Sequence, residues 1–139
     1  MVYCVFIGSL KDKRLRMMAE EYRQRLQKLW PISLFEISGK TKEVLRFVEG
    51  KKGRGLLVSL DPRGESLDSP GFGQWVTKSS RDIYFFAWGP DGPPQGLSMN
   101  LFRRLSLSPM TFSHELARVL LLEQLYRAGA DLKGHPYPR

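Results

Sequence analysis

The stretch LSLSPMTFSHELARVLLLEQLYRA, residues 105–128, decides more about the fold than any other part of the chain. Its first residues end a short strand predicted over residues 101–107. A loop comes next, and a helix is predicted over residues 112–128. Ser113 is suited to cap this helix, and Glu115 puts a negative charge in its first turn. Apolar residues cover much of the helix circumference, so we expect it to pack against both the core and a partner subunit.

Upstream of this helix, apolar strand-like segments alternate with helical ones. The segments VYCVFI (residues 2–7), ISLFEI (32–37), GLLVSL (55–60) and IYFFAW (83–88) predict strands, and residues 11–29, 41–48 and 69–78 predict helices. Asp61-Pro62-Arg63-Gly64 has the composition of a turn, and residues 129–139 are predicted to be irregular. This order predicts an α/β fold with a parallel-rich sheet flanked by helices, in a single domain over residues 1–139.

Ligands of parallel α/β sheets bind beside the carboxyl ends of the strands. In this chain that rule selects three loops, at residues 60–64, 88–92 and 105–111. We therefore expect these loops to surround a common ligand site.

The charge of the chain is unevenly distributed. The net charge is +8, and residues 1–60 hold thirteen Lys and Arg against six Asp and Glu. A one-sided basic field favours a polyanion such as nucleic acid as a partner. Basic residues of the first helix and of the 51–54 loop are the candidates for contact with such a nucleic acid, namely Lys11, Arg14, Arg25, Lys51 and Lys52, and the family resemblance given below implies that this nucleic acid is RNA.

Several other classes of site are disfavoured. The sequence has no Gly-x-Gly-x-x-Gly or Walker phosphate loop, and two histidines without Cys/His ligand spacing predict no metal site. The lone Cys4 lies in an apolar run, which predicts a buried, inert thiol and suits a reducing, cytoplasmic location. The apolar runs are too short for a membrane helix. For His114, at a helix start, a structural role is favoured over a catalytic one.

Specific motifs extend this interpretation. Residues 105–112 (LSLSPMTF), His114, Arg118 and residues 122–128 (LEQLYRA) resemble the C-terminal signature of the ribosomal RNA large subunit methyltransferase H family. The closing HPYPR, residues 135–139, resembles that family's tail. Residues 8–11 (GSLK), residues 60–64 (LDPRG), Gly89 and Gly92 resemble its other motifs, so the likeness extends from end to end.

The resemblance implies more than composition does. The fold of the family is the SPOUT α/β knot, in which the C-terminal region forms a trefoil knot, and the members of the family are homodimers. Its activity is methylation of N3 of a pseudouridine in large-subunit (23S) ribosomal RNA, on the assembled ribosome, with S-adenosylmethionine as donor. The residues that match its cofactor-binding positions are Leu60, Gly89, Leu107, Ser108, Pro109, Met110, Thr111 and Phe112.

The sequence departs from the family pattern at three positions. Trp88 stands where glycine is usual, Pro138 stands where the tail has histidine, and Ser113 stands where proline is common. In the tail, Tyr137 and Arg139 match and are expected to orient the substrate, and His135 is the candidate to replace the missing imidazole. The departures at 88 and 138 motivate one alternative, a catalytically impaired relative that binds ribosomal RNA without turnover. A second alternative, a flavodoxin-like nucleotide-binding protein, fits the strand order but not the C-terminal signature.

Overall fold

The computed structural model describes residues 1–135 and residue 137. In chain order the elements are β1 (Val2–Ile7), α1 (Lys13–Gln27), β2 (Ile32–Ile37), α2 (Thr41–Lys51), β3 (Leu56–Ser66), α3 (Ser69–Lys78), β4 (Ile83–Ala87), β5 (Phe102–Ser106) and α4 (His114–Leu132). A 3₁₀ turn, Met99–Leu101, precedes β5. The predicted α/β class and helix-flanked sheet are confirmed.

The strands form one sheet in the order β2-β1-β4-β3-β5, and every pairing is parallel. All the carboxyl ends therefore lie at one edge of the sheet, because parallel strands point the same way. The helices α1, α2 and α3 each connect one parallel strand to the next, so each of them runs back toward the opposite edge.

Both faces of the sheet are covered by helices. On one face Cys4 and Phe85 pack under α1, α3 and α4, while on the other Val5 and Phe86 pack under Val44 of α2. Alternate residues of each strand point to opposite faces, so a strand buried on both sides is apolar along its whole length. Cys4 is fully buried, and burial raises the pKa of its thiol, as expected for an inert cysteine.

Three predicted boundaries were wrong. The helix α2 does not end at Val48 but continues through Gly50 to Lys51. The strand β3 does not end before Asp61 but continues to Ser66, with a bulge in which Leu105 of β5 faces first Leu60 and then Glu65. The helix α4 continues past Ala128 to Leu132. Gly129 lies against the Trp30 indole, and an added Cβ would come within 2.7 Å of the ring. Packing therefore favours glycine inside the helix at this position, despite its poor helix propensity.

The breadth of the apolar surface of α4 is explained within one chain. This helix contacts α1, α3 and β4, and its residues Leu121, Leu122 and Leu125 are completely buried. Ser113 caps it as predicted, because its hydroxyl accepts a hydrogen bond from the Leu116 amide at 3.2 Å. The apolarity of α4 therefore does not by itself require a partner subunit.

Candidate functional site: a cavity at the strand ends

The carboxyl ends of the sheet surround a cavity of about 450 Å³. Its walls come from the three loops that the strand-end rule selects, which the structure brings together. The lining residues belong to three segments, 59–63, 87–93 and 107–117, of which Gly89, Phe112 and His114 are examples. The volume lies within the range of small-molecule sites, and the lining mixes apolar walls with a few polar groups, which is typical of such sites.

Most of the predicted cofactor positions lie on this cavity. Those that line it are Leu60, Gly89, Leu107, Ser108, Thr111 and Phe112. The other two, Pro109 and Met110, lie at the exposed tip of the same loop, where the Met110 side chain is 73% exposed. The loop as a whole is thus where the sequence predicts it, but its tip points away from the cavity.

The loop between β5 and α4 is held by its own hydrogen bonds. The Ser106 hydroxyl donates to the Ser108 carbonyl at 2.8 Å, and the Met110 amide donates to the Ser108 hydroxyl at 3.0 Å. Such local side-chain bonds fix a turn without regular secondary structure. These hydrogen bonds fix the backbone of this wall of the cavity.

The bulge in β3 places polar groups on the opposite wall. Gly64 lies so close to β5 that an added Cβ would be 2.6 Å from the Arg104 carbonyl carbon, and the residues before it arch toward the cavity. Burial alone would raise the pKa of Asp61, but hydrogen bonds from the Arg63 backbone and side chain hold it below its ordinary value. A charged Asp61 and Arg63 therefore border the site, although only their loop was predicted.

Trp88 occupies the floor of the cavity without filling it. Its indole N–H donates a 2.7 Å hydrogen bond to the Ser59 hydroxyl, and its ring stacks on Phe86 and meets Phe102 edge-on. The side chain is 7% exposed and belongs to the α2 side of the core. The large residue at this position thus packs into the protein and presents one part of its surface to the cavity.

A second cavity, of about 580 Å³, adjoins the first across the loop after β4. Its lining includes Ser9 and Lys11 after β1, Glu36 and Ser38 at the end of β2, and Asp91. Gly89, Pro90, Gly92 and His114 line both cavities. Sequence reasoning assigned His114 a structural role, and nothing in the sequence itself places this side chain between two cavities.

The start of α4 clamps the loop after β1. One carboxylate oxygen of Glu115 accepts hydrogen bonds from the Lys11 amide at 3.0 Å and the Asp12 amide at 2.9 Å. Bonds from the Asp12 and Lys11 amides hold the pKa of Glu115 below its ordinary value. One helical turn later, the buried Arg118 donates to the Ile7 carbonyl at 2.6 Å. These bonds fix the wall between α4 and β1 that closes the second cavity.

The predicted catalytic residues of the tail lie elsewhere. The backbone N–H of His135 donates to the Ala130 carbonyl at 2.8 Å, and the Tyr137 hydroxyl lies 3.3 Å from that of Tyr22. This is the far end of α4, a helix of 19 residues, which at 1.5 Å per residue is about 28 Å long. Arg139 and Pro138 lie outside the described residues. Within one chain, then, His135 and Tyr137 do not meet the cavity.

The predicted RNA-contacting residues are divided between the two edges of the sheet. Lys11 lines the second cavity, and the Arg14 side chain nearby is 90% exposed. Lys51 is the last residue of α2 and Lys52 follows it, at the opposite edge, where Lys52 pairs with Glu49 at 2.9 Å. Arg25 lies near that edge too, between the Tyr22 and Tyr126 rings. No single surface of one chain joins all five.

Two further kinds of site are absent from the part of the chain that the structure describes. There, residues 1–135 and 137 contain no group of three or more His, Cys, Asp or Glu side chains arranged to hold a metal ion. No helix in this part is both long and apolar enough to cross a membrane.

The cavity and the all-parallel sheet can be compared with known proteins. Residues 1–138 match the family described as "Predicted SPOUT methyltransferase". A solved structure of a probable methylase family protein from Haemophilus influenzae shares the fold, with a TM-score of 0.61 at 11% identity over 99% of this chain and 72% of that one. The chain belongs to the SPOUT methyltransferase family.

Curated relatives give a more particular likeness. The chain is 36% identical over 140 residues to the protein named Ribosomal RNA large subunit methyltransferase H from Coprothermobacter proteolyticus, covering 98% of this chain and 97% of that one. It is 35% identical over 141 residues to the protein of the same name from Solibacter usitatus, with 99% of both covered. The family expected from the sequence motifs is confirmed, and the flavodoxin-like alternative is set aside.

Proposed function

We propose that this protein transfers the methyl group of S-adenosylmethionine to N3 of a pseudouridine in large-subunit (23S) ribosomal RNA. The observation that carries the proposal is the cavity at the strand ends. It is lined by six of the eight positions that match the family's cofactor-binding residues, and the relatives over the full length of the chain are named for this reaction class.

The residues present fit S-adenosylmethionine. Leu60, Leu107 and Phe112 supply apolar walls, and Gly89 lets the backbone approach a ligand closely, since it has no side chain. The Trp88 indole N–H bonds the Ser59 hydroxyl, and the side chain leaves the cavity open. An open cavity supports turnover over the catalytically impaired alternative. When bound, the cofactor supplies an activated methyl group, so the chain has to position two reactants and manage one proton.

The direct test is methyl transfer from radiolabelled S-adenosylmethionine to ribosomes from cells that lack this modification. We expect one methyl group per ribosome, located in the large-subunit RNA at a pseudouridine. Saturable cofactor binding without transfer to ribosomes, subunits or free RNA would instead support the impaired alternative. Thr111→Tyr, which adds bulk to the cavity wall, should weaken cofactor binding at least tenfold, and Met110→Gln at the exposed loop tip is the matched control.

A homodimer would bring the tail to a site. Because Tyr137 lies beside Tyr22, at the end of α4 away from its own cavity, its role in substrate orientation requires the cavity of a second copy. Tyr137, Arg139 and His135 are accordingly proposed to act across the dimer. Mixing an Arg139→Ala chain with a chain inactivated at its cavity should restore activity to part of the dimers, and complementation failure would place the tail in its own subunit's site.

The trefoil knot is proposed for the C-terminal region. Residues 107–113 pass from the edge strand β5 across the carboxyl ends of β3 and β4 to α4, whose Glu115 bonds the loop after β1. The helix α3, from the crossover between β3 and β4, packs on α4. Threading of residues 107–113 through that crossover is the arrangement that the trace of an experimental map will test.

Ribosome binding is proposed to begin at the cavity edge of the sheet, where Lys11 and Arg14 lie. Phosphate contacts there give salt-dependent affinity without sequence preference, and shape recognition of the assembled ribosome supplies specificity. Arg14→Glu should weaken binding and flatten its salt dependence, while Lys52→Glu at the opposite edge tests whether the second basic group takes part. A ribosomal substrate implies that the protein acts in the cytoplasm.

A further inference from the structure

The imidazole of His114 occupies a position that the structural role of a helix-start residue does not explain. It is the first residue of α4, it lines both cavities, and its side chain is 30% exposed. A group at the junction of two ligand-sized spaces can touch whatever passes between them. In a transfer reaction, that position is where the donor and acceptor meet.

A carboxylate lies beside this imidazole. One oxygen of Glu115 is held by the Lys11 and Asp12 amides, and the other lies 3.8 Å from the His114 Nε2. A carboxylate fixed by backbone bonds beside a histidine ring favours one ring orientation and stabilises the imidazolium that forms when the ring takes up a proton. The negative charge of Glu115 at this distance favours a proton on the ring, as a base at this position requires.

The second cavity suits a nucleobase rich in N–H donors. Its volume of about 580 Å³ exceeds that of the first cavity, and its wall carries the carboxylates of Glu36, Asp91 and Glu115 together with the hydroxyls of Ser9 and Ser38. Carboxylates accept hydrogen bonds and do not donate them, so they match imide and ring N–H groups. A pyrimidine whose ring carries two N–H groups offers two such donors.

We propose that the second cavity receives the acceptor base and that His114 takes the proton from its N3. This inference rests on the proposed function and names a substrate subsite and a catalytic base within it. It also explains how the reaction can proceed with proline in place of histidine at position 138, since a base supplied by α4 does not depend on an imidazole in the tail.

The methyl transfer to N3 breaks two bonds and forms two. The N3–H bond breaks and its proton moves to a ring nitrogen of His114, while the pair left on N3 forms the new bond to the methyl carbon. The pair of the broken sulfur–methyl bond stays on sulfur, which becomes a neutral thioether. The imidazolium, stabilised by Glu115, then returns its proton to solvent.

The charged groups that face the imidazole come from every loop around it. They are Glu115 on its own helix, Lys11 after β1, Glu36 at the end of β2, Asp61 and Arg63 in the β3 bulge, and Asp91 after β4. The pH dependence of the reaction therefore has to be assigned by substitution of the histidine itself.

The experiment compares His114→Asn, His114→Ala and His135→Asn. Cofactor affinity by calorimetry and thermal unfolding establish that each variant is folded. We expect His114→Asn to lower single-turnover transfer to ribosomes by roughly 100- to 10,000-fold, the usual range for a general base. Its rate should keep rising with pH, because without the imidazole the N3 proton is lost to hydroxide from solution, and added imidazole should partly restore His114→Ala. A role in folding alone would produce neither the altered pH profile nor the rescue.

A second readout is independent of turnover. The chain has two histidines, so its proton NMR spectrum has two imidazole Cε1–H signals. The signal that is missing from the His114→Asn variant is that of His114. Pseudouridine 5′-monophosphate, added without cofactor, should shift the His114 signal, and Glu36→Gln should weaken that titration. An unshifted His114 signal, or wild-type transfer by His114→Asn with loss in His135→Asn, overturns the inference while leaving the proposed function in place. Absence of transfer by the wild-type protein would count against the proposed function itself, and the titration would then decide the subsite alone.

Discussion

Gly64→Ala tests how the β3 bulge is built, because the added methyl has no space. Its Cβ would lie 2.6 Å from the Arg104 carbonyl carbon and 2.8 Å from both the Arg104 oxygen and the Leu105 nitrogen. All three atoms belong to the backbone of β5, so no side chain can rotate away, and the two strands have to separate. Overpacking of this kind costs about 1–3 kcal/mol and more where backbone must move, so we expect a loss of about 3 kcal/mol.

Gly50→Ala is the matched control. Gly50 lies within α2, and an added Cβ there has nothing within 4 Å. The same substitution should therefore stabilise the protein by about 0.5–1 kcal/mol through helix propensity alone. The two variants change the same atoms and are expected to move stability in opposite directions.

Urea unfolding followed by far-ultraviolet circular dichroism measures both variants, with calorimetric titration of S-adenosylmethionine as a second readout. Because residues 61–63 line the cavity, Gly64→Ala should also weaken cofactor binding, whereas Gly50→Ala should not. The account of the bulge is refuted if Gly64→Ala loses less than about 0.5 kcal/mol, since the close approach of β3 and β5 would then be wrong.

The site and the core support four other predictions. Ser59→Ala leaves the buried indole N–H of Trp88 unpaired, so it should lower the free energy of unfolding by about 1–3 kcal/mol. Cofactor binding should change the tryptophan fluorescence of the wild type and not that of Trp88→Phe. The lowered pKa of Glu115 means that its contribution is present above the ordinary value of 4.5 and is lost as pH falls through the lowered value; Glu115→Gln should make stability depend less on pH in that acid range, with an unchanged profile counting against the clamp. Cys4 should react with a thiol reagent only at the rate of unfolding, and rapid labelling of the folded protein would contradict its burial.

Much of the scaffold follows from local pattern. The apolar runs of β1 and β4 predict strands buried on both faces, and such strands require parallel pairing under helices. The cap at Ser113 follows from residue type. The three loops around the first cavity follow from the rule that parallel strands end at one edge.

The rest depends on contacts between distant parts of the chain. The composition of Asp61 to Gly64 is that of a turn, and only pairing with β5 makes it a bulge within a longer strand. Gly129 continues α4 because the Trp30 indole lies against it, a contact invisible to helix propensity. His114 has the sequence position of a first-turn residue, and its place between two cavities arises only when the loops after β1, β2 and β4 meet.

The clamp between the start of α4 and the loop after β1 also has a consequence for synthesis of the chain. Its hydrogen bonds join residues 103, 104 and 111 positions apart. At about 5–20 residues per second, the first strand waits roughly 5–20 s for its partner helix to be translated. Both cavities are therefore completed only after α4 has been synthesised and can reach the loop after β1.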